Sequence, residues 1–88
     1  MWPDEVIKGK ILHKLVRHGL FEHSHTAIEN LSKGFPSEMR GKAKEMADEL
    51  IKEGILHLKK TSYGKQISIN LARKDKIMDY IDEFLKME

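Results

Sequence analysis

Cysteine is absent from this chain, which excludes both a disulfide framework and a thiolate metal site. Long apolar runs are missing too. No stretch approaches the ~20 residues that a membrane-spanning helix requires. The opening Met1-Trp2-Pro3-Asp4-Glu5 has charge but no apolar core of a secretory leader, so a cytoplasmic protein is expected. Proline occurs twice, aromatic residues make up 7%, and amides are confined to Asn30, Asn70 and Gln66. Scarce amides beside abundant Lys and Glu lean toward a thermophile. There is no glycine-rich phosphate loop and no nucleophile elbow, and the acids fall on solvent-facing helix positions. Neither an enzyme nor a cofactor is expected.

What is present is charge and short-range order. The 88 residues are 40% hydrophobic and 34% charged, enough for a single domain over residues 1–88. The net charge is only +2, but it is unevenly spread. Residues 54–72 hold Lys59, Lys60 and Lys65 and no acid, whereas residues 37–53 and 73–88 are each net −1. A local basic patch, rather than a basic protein, needs explaining.

The apolar spacing divides the chain into elements. Ile7, Ile11, Leu12, Leu15 and Val16 predict a helix over 4–18 with Gly19 as its stop. Leu20 to His23 reads as a brief extended stretch. Thr26 and Glu29 form a capping box that predicts a short helix over 26–33, with Leu31 and Phe35 for the core. Pro36 and Ser37 open a third helix, 37–53, whose inner face is Met39, Ala43, Met46, Ala47, Leu50 and Ile51, and Gly54 ends it. Runs 55–60 and 66–71 flank Thr61-Ser62-Tyr63-Gly64-Lys65 and predict a β-hairpin, with Ile67, Ile69 and Leu71 inward. A last helix, 73–87, carries Ile77, Tyr80, Ile81, Phe84 and Leu85 on one stripe.

The order is helix, short helix, longer helix, hairpin, helix. It resembles the winged helix-turn-helix superfamily: α+β and mostly helical, with a three-helix core, a two-stranded wing and a C-terminal helix. The run Leu50-Ile51-Lys52-Glu53-Gly54-Ile55-Leu56 resembles the recognition-helix end, glycine and first wing strand of those transcription regulators. Residues Gly34 to Asn70 are similar to small archaeal winged-helix proteins. The resemblance implies double-stranded DNA as partner, with helix 37–53 in the major groove and residues 59–65 on the wing.

The residues suit those two roles unequally. A 100° step turns Ser37, Glu38, Gly41, Lys44, Glu45, Asp48 and Lys52 outward on helix 37–53, three acids against two lysines. That balance is poor for a polyanion, although Ser37, Arg40, Gly41 and Lys44 can touch DNA near the helix start. The wing is better supplied. Lys59, Lys60 and Lys65 surround Thr61, Ser62 and Tyr63, giving cations, hydroxyl donors and one aromatic at a tip, residue types from which phosphates accept hydrogen bonds. Lysine on a sheet edge also blocks strand-to-strand aggregation. Lys10, His13 and Arg17 read as a solvated face of the first helix that can supplement the wing.

Other constellations give less. His13, His18, His23, His25 and His57 lack zinc-ligand spacing, so no metal is expected. The stripe on the last helix, with Trp2, either closes the core or forms a homodimer about a twofold axis, and the dimer is the preferred expectation. The acidic outward face of residues 38–52 supports an alternative, a winged helix that binds a basic protein. RNA binding, with Tyr63 stacking on a base, is a third reading.

Overall fold

The computed structural model describes residues 2–19 and 24–87. Among these the order is helix α1 (Asp4–Arg17), strand β1 (Thr26–Ala27), a 3-10 turn (Ile28–Ser32), a second (Ser37–Met39), helix α2 (Arg40–Lys52), strands β2 (Leu56–Thr61) and β3 (Gly64–Ile69), a third 3-10 turn (Leu71–Arg73) and helix α3 (Lys74–Lys86). The fold is α+β and mostly helical, with one antiparallel sheet in the order β1-β3-β2. Among the described residues no helix is long and apolar enough to cross a membrane.

Helix α1 is the element around which the rest packs. Asp4 and Glu5 in its first turn and Lys14 and Arg17 in its last complement the helix dipole. Its chain turns away at His18 and Gly19, where φ is +65°. Ile7, Ile11, Leu12 and Leu15 are buried, each contributing about 1.5–3 kcal/mol of apolar burial. Lys8 and Gly9 are buried as well, because α3 lies across that side of α1. A Cβ on Gly9 would come within 2.0 Å of the Tyr80 carbonyl oxygen. Only glycine lets the two helix backbones approach this closely. Trp2 packs on Phe35 and Phe84, at 6.2 and 6.3 Å between ring centres, and fastens the far end of the seam.

Helix α2 buries Ala43, Met46, Ala47 and Leu50 against this core. It ends in a Schellman turn: Ile55 N–H donates to the Leu50 carbonyl and Gly54 N–H to that of Ile51, with Gly54 at φ +76°. Leu50 and Ile55, the apolar pair of that motif, are fully buried. Asn70 joins this turn to the end of the sheet. Its N–H donates to the Ile55 carbonyl at 2.9 Å, its Nδ2 donates to the Gly54 carbonyl at 2.8 Å, and its Oδ1 accepts from Ala72 N–H. The hairpin therefore leaves α2 at a fixed angle.

Several expected boundaries shift, each for a local reason. The helix expected over 26–33 is instead β1 followed by a 3-10 turn, and the Thr26–Glu29 capping box does not form. Thr26 pairs with Ile67 on the open edge of β3, and its Oγ1 accepts from Asn30 Nδ2 at 2.8 Å. The hairpin expected to stand alone as a two-stranded wing thus belongs to a three-stranded sheet. Ser37 caps nothing; Pro36 precedes a 3-10 turn, and α2 proper starts at Arg40. Strands expected over 55–60 and 66–71 become Leu56–Thr61 and Gly64–Ile69. Leu71, expected inward on a strand, starts the 3-10 turn capped by Asn70 and is exposed. Ser68, which alternates with the inward Ile67 and Ile69, is nonetheless fully buried, because β3 is the middle strand and α1 and the 28–32 turn pack on it. Its Oγ has no hydrogen-bond partner among the described residues. The helices expected over 4–18 and 73–87 end within a residue of α1 and α3. The extended stretch expected at Leu20–His23 lies outside the described residues.

Candidate nucleic-acid interface

The hairpin is tighter than its sequence suggests. Thr61 pairs with Gly64, so only Ser62 and Tyr63 form the turn. Thr61 Oγ1 locks it from both sides, donating to the Gly64 carbonyl at 2.9 Å and accepting from Tyr63 N–H at 3.2 Å. Gly64 takes φ +119°, a value costly for any other residue. Tyr63 stands at the tip, 96% exposed.

The register decides which lysines work together. Leu56 faces Ile69, Leu58 faces Ile67 and Lys60 faces Lys65. Side chains two apart share a sheet face, so the face that buries Leu56, Ile67 and Ile69 at its base turns cationic at its end. Lys60 and Lys65 thus sit on the core side, toward α2. Lys59, opposite Gln66, points to the other face with His57. None of the three lysines has an acidic partner among the described residues.

Between α2, the 28–32 turn and the hairpin tip lies an open groove of about 460 Å³. Ile28, Leu31 and Ala47 form its floor, and Lys44 and Lys65 stand on its rim with Glu29 and Asp48. The structure therefore places Lys44 of α2 and Lys65 of the hairpin on the lining of one groove. Ser37, Arg40 and Gly41 do not line this groove, but Arg40 lies one helical turn before Lys44 on the exposed face. Arg40 Nε donates to the Phe35 carbonyl at 3.3 Å, which holds the guanidinium beside the start of α2. Gly41 is exposed, and among the described residues nothing lies within 4 Å of where its Cβ would be. Glu38, Glu45, Asp48 and Lys52 are exposed as expected.

Behind this face, α2 is anchored by a group that the apolar spacing does not reveal. Lys8 Nζ contacts Glu53 Oε2 at 2.9 Å and Glu49 Oε1 at 3.0 Å, and Tyr80 Oη donates to Glu53 Oε1 at 2.6 Å. Lys8 also lies 5.2 Å from the Tyr80 ring centre. Burial pulls the Lys8 ammonium down, but hydrogen bonds to Glu53 and Glu49 outweigh it and hold the group above the ordinary lysine range. Burial likewise pushes the Glu53 carboxyl up, and the bonds from Tyr80 and Lys8 bring it below its ordinary value. Tyr80 is raised by burial and by donating to Glu53. The cluster fixes the last turn of α2 to α1 and α3. A glycine followed by an apolar run marks the end of α2 in sequence, but only long-range packing shows that Lys8 reaches it.

The first helix contributes less to the exposed surface than expected. Lys10 lies 5.3 Å from the Trp2 ring centre and 5.0 Å from that of Phe35, and His13 lies 5.6 Å from the Phe84 ring. Both are half-buried because α3 and the Phe35 turn cover this side of α1; Arg17 is exposed. Trp2, Tyr80 and Phe84 are half-buried within the chain, Ile77 and Ile81 are buried, and Leu85 is 45% exposed. Among the described residues no three His, Asp or Glu side chains gather as a metal site, and His23 lies outside them. Comparison with protein-family models, with curated proteins and with solved structures finds no match for this chain.

Proposed function

We propose that the chain is a winged helix-turn-helix that binds double-stranded DNA as a transcription regulator, with α2 as the groove-facing helix and the β2–β3 hairpin as the wing. The order of α1, the 28–32 turn, α2, hairpin and α3 supports the fold reading. The Lys60–Lys65 pair carries the functional one. Directly opposed like charges on antiparallel strands repel, and each pair destabilises the free protein by a few tenths of a kcal/mol. A phosphate between them reverses that sign. Lys44 across the groove adds a third cation on the same side; Ser62 in the turn and Lys59 on the opposite sheet face extend the contact along the backbone, whereas the Thr61 hydroxyl is taken up in closing the turn.

Gly41 gives independent support. Glycine within a helix costs about 0.5–1 kcal/mol relative to alanine, and neither backbone conformation nor packing among the described residues requires it. A DNA backbone lying against α2 at Ser37, Arg40 and Gly41 supplies the reason. The reading is tested by fluorescence anisotropy with labelled mixed-sequence duplex at low and near-physiological salt. Binding that weakens steeply with salt is expected; no binding at low salt overturns it.

The exposed acids Glu38, Glu45 and Asp48 favour a second reading, a binding module for a basic protein. Retention of a protein partner after nuclease treatment, with no DNA binding, selects it. A homodimer along α3 would use Met78 and Leu85, the large apolar side chains that this helix leaves exposed, with Met87 just past its end.

A further inference from the structure

We propose that the hairpin tip recognises an unpaired base: Tyr63 stacks on a nucleobase at a junction between duplex and single-stranded DNA, while Lys60 and Lys65 hold the adjoining phosphates. This rests on the DNA-binding reading above and names the form of DNA the site prefers.

Three observations converge on the tip. First, Tyr63 has the most exposed large apolar side chain among the described residues, and no other ring or cation there packs on it. Second, the tip is held, with a two-residue turn closed by the Thr61 hydroxyl, which donates one hydrogen bond and accepts another. A ring on a fixed turn loses little conformational freedom on stacking. Third, the lysine pair stands one residue behind the Thr61–Gly64 pair, so one nucleotide reaching the ring brings its phosphate to the cations. Ring, hydroxyls and cations at one tip are what single-strand binding uses, because every base presents a π-face whatever the sequence.

The neighbouring helix points the same way. Its outward face sets Glu38, Glu45 and Asp48 against Lys44 and Lys52, which opposes deep entry into a duplex groove lined by two phosphate strands. At a junction the helix need follow only one backbone while the tip takes the first unpaired base.

The test uses the full chain and three labelled DNAs: a blunt duplex, the same duplex with a short single-stranded overhang, and the single strand alone. The overhang substrate is expected to bind more tightly than the blunt duplex by about fivefold to about 150-fold, the range for one base–aromatic stack. Tyr63→Ala removes that margin, so that overhang and blunt duplex bind alike, and leaves the urea midpoint unchanged. Tyr63→Phe keeps it, since the ring and not the hydroxyl stacks. Equal affinity for blunt and overhang DNA, a margin that survives Tyr63→Ala, or a preference for the single strand alone overturns the junction reading but leaves DNA binding intact. Failure to bind any of the three at low salt overturns both.

Discussion

Lys8 and Lys60 are the same residue type put to opposite uses. Lys8 is enclosed by α1, α2 and α3, with carboxylates of Glu49 and Glu53 within 3.0 Å and a tyrosine ring beneath it. Lys60 stands on the hairpin opposite another lysine and forms no ion pair among the described residues. Where the chain must hold itself together it matches its charges inside; on the hairpin it leaves them unmatched. The seam between α1 and α3 is therefore the stabilising half of the molecule. The surface formed by α2 and the hairpin is the half that the proposed DNA-binding reading assigns to a partner, at a small cost to the free protein.

The comparison breaks hardest at Gly9. Gly9→Ala places a methyl group into the Tyr80 carbonyl, and backbone rather than a flexible side chain must move. The expected loss is about 3 kcal/mol, read as a fall in the urea midpoint. An unchanged midpoint would mean that the helices do not cross this closely.

Glu53→Gln tests the same half by its charge. The Glu53 pKa in the folded chain lies below the ordinary 4.5, so the folded state binds fewer protons there and stability falls as the pH drops through that interval. Lys8 and Tyr80 are raised from 10.5 and 10.0, so their contributions are complete at neutral pH and fade as the pH climbs beyond those values. The wild type should show a plateau with both shoulders. Glu53→Gln should lose about 1–2 kcal/mol on the plateau, an amount already reduced for partial exposure, together with the acid shoulder. Urea midpoints between pH ~3 and ~11 check this. An acid shoulder of full size in the variant would assign it to other carboxylates.

Gly41→Ala sharpens the other half, with the smallest effect and opposite signs in two assays. Stability should rise by about 0.5–1 kcal/mol, since the added methyl group meets open space. Duplex affinity should fall, because the methyl group stands where a backbone approaches. A gain in stability with unchanged affinity would remove Gly41 from the interface.

Much of this was legible from local pattern. Apolar spacing located α1, α2 and α3, Gly19 and Gly54 marked their ends, and alternation at Ile67 and Ile69 found the hairpin. What escaped was long-range. β1 is two residues long, too short for any period to show, and the unpaired edge of β3 outcompetes the capping box for Thr26. Lys8 falls off the apolar stripe of α1 and looks solvated until α3 covers it. The lysines of the site were plain as a run without acids, but their division into a facing pair and an outlier depends on register. A hydroxyl at Thr61 closing the turn sets that register, which composition does not disclose.

The most direct measurement compares wild type with the Lys59→Ala, Lys60→Ala, Lys65→Ala triple variant in two assays, duplex anisotropy across a salt series and urea unfolding. If unmatched charge on the hairpin serves a DNA partner, affinity at low salt falls at least about tenfold and the salt slope shrinks by up to about 3. The urea midpoint then stays where it was or rises, as the Lys60–Lys65 repulsion is relieved. Unchanged affinity and slope would contradict the account.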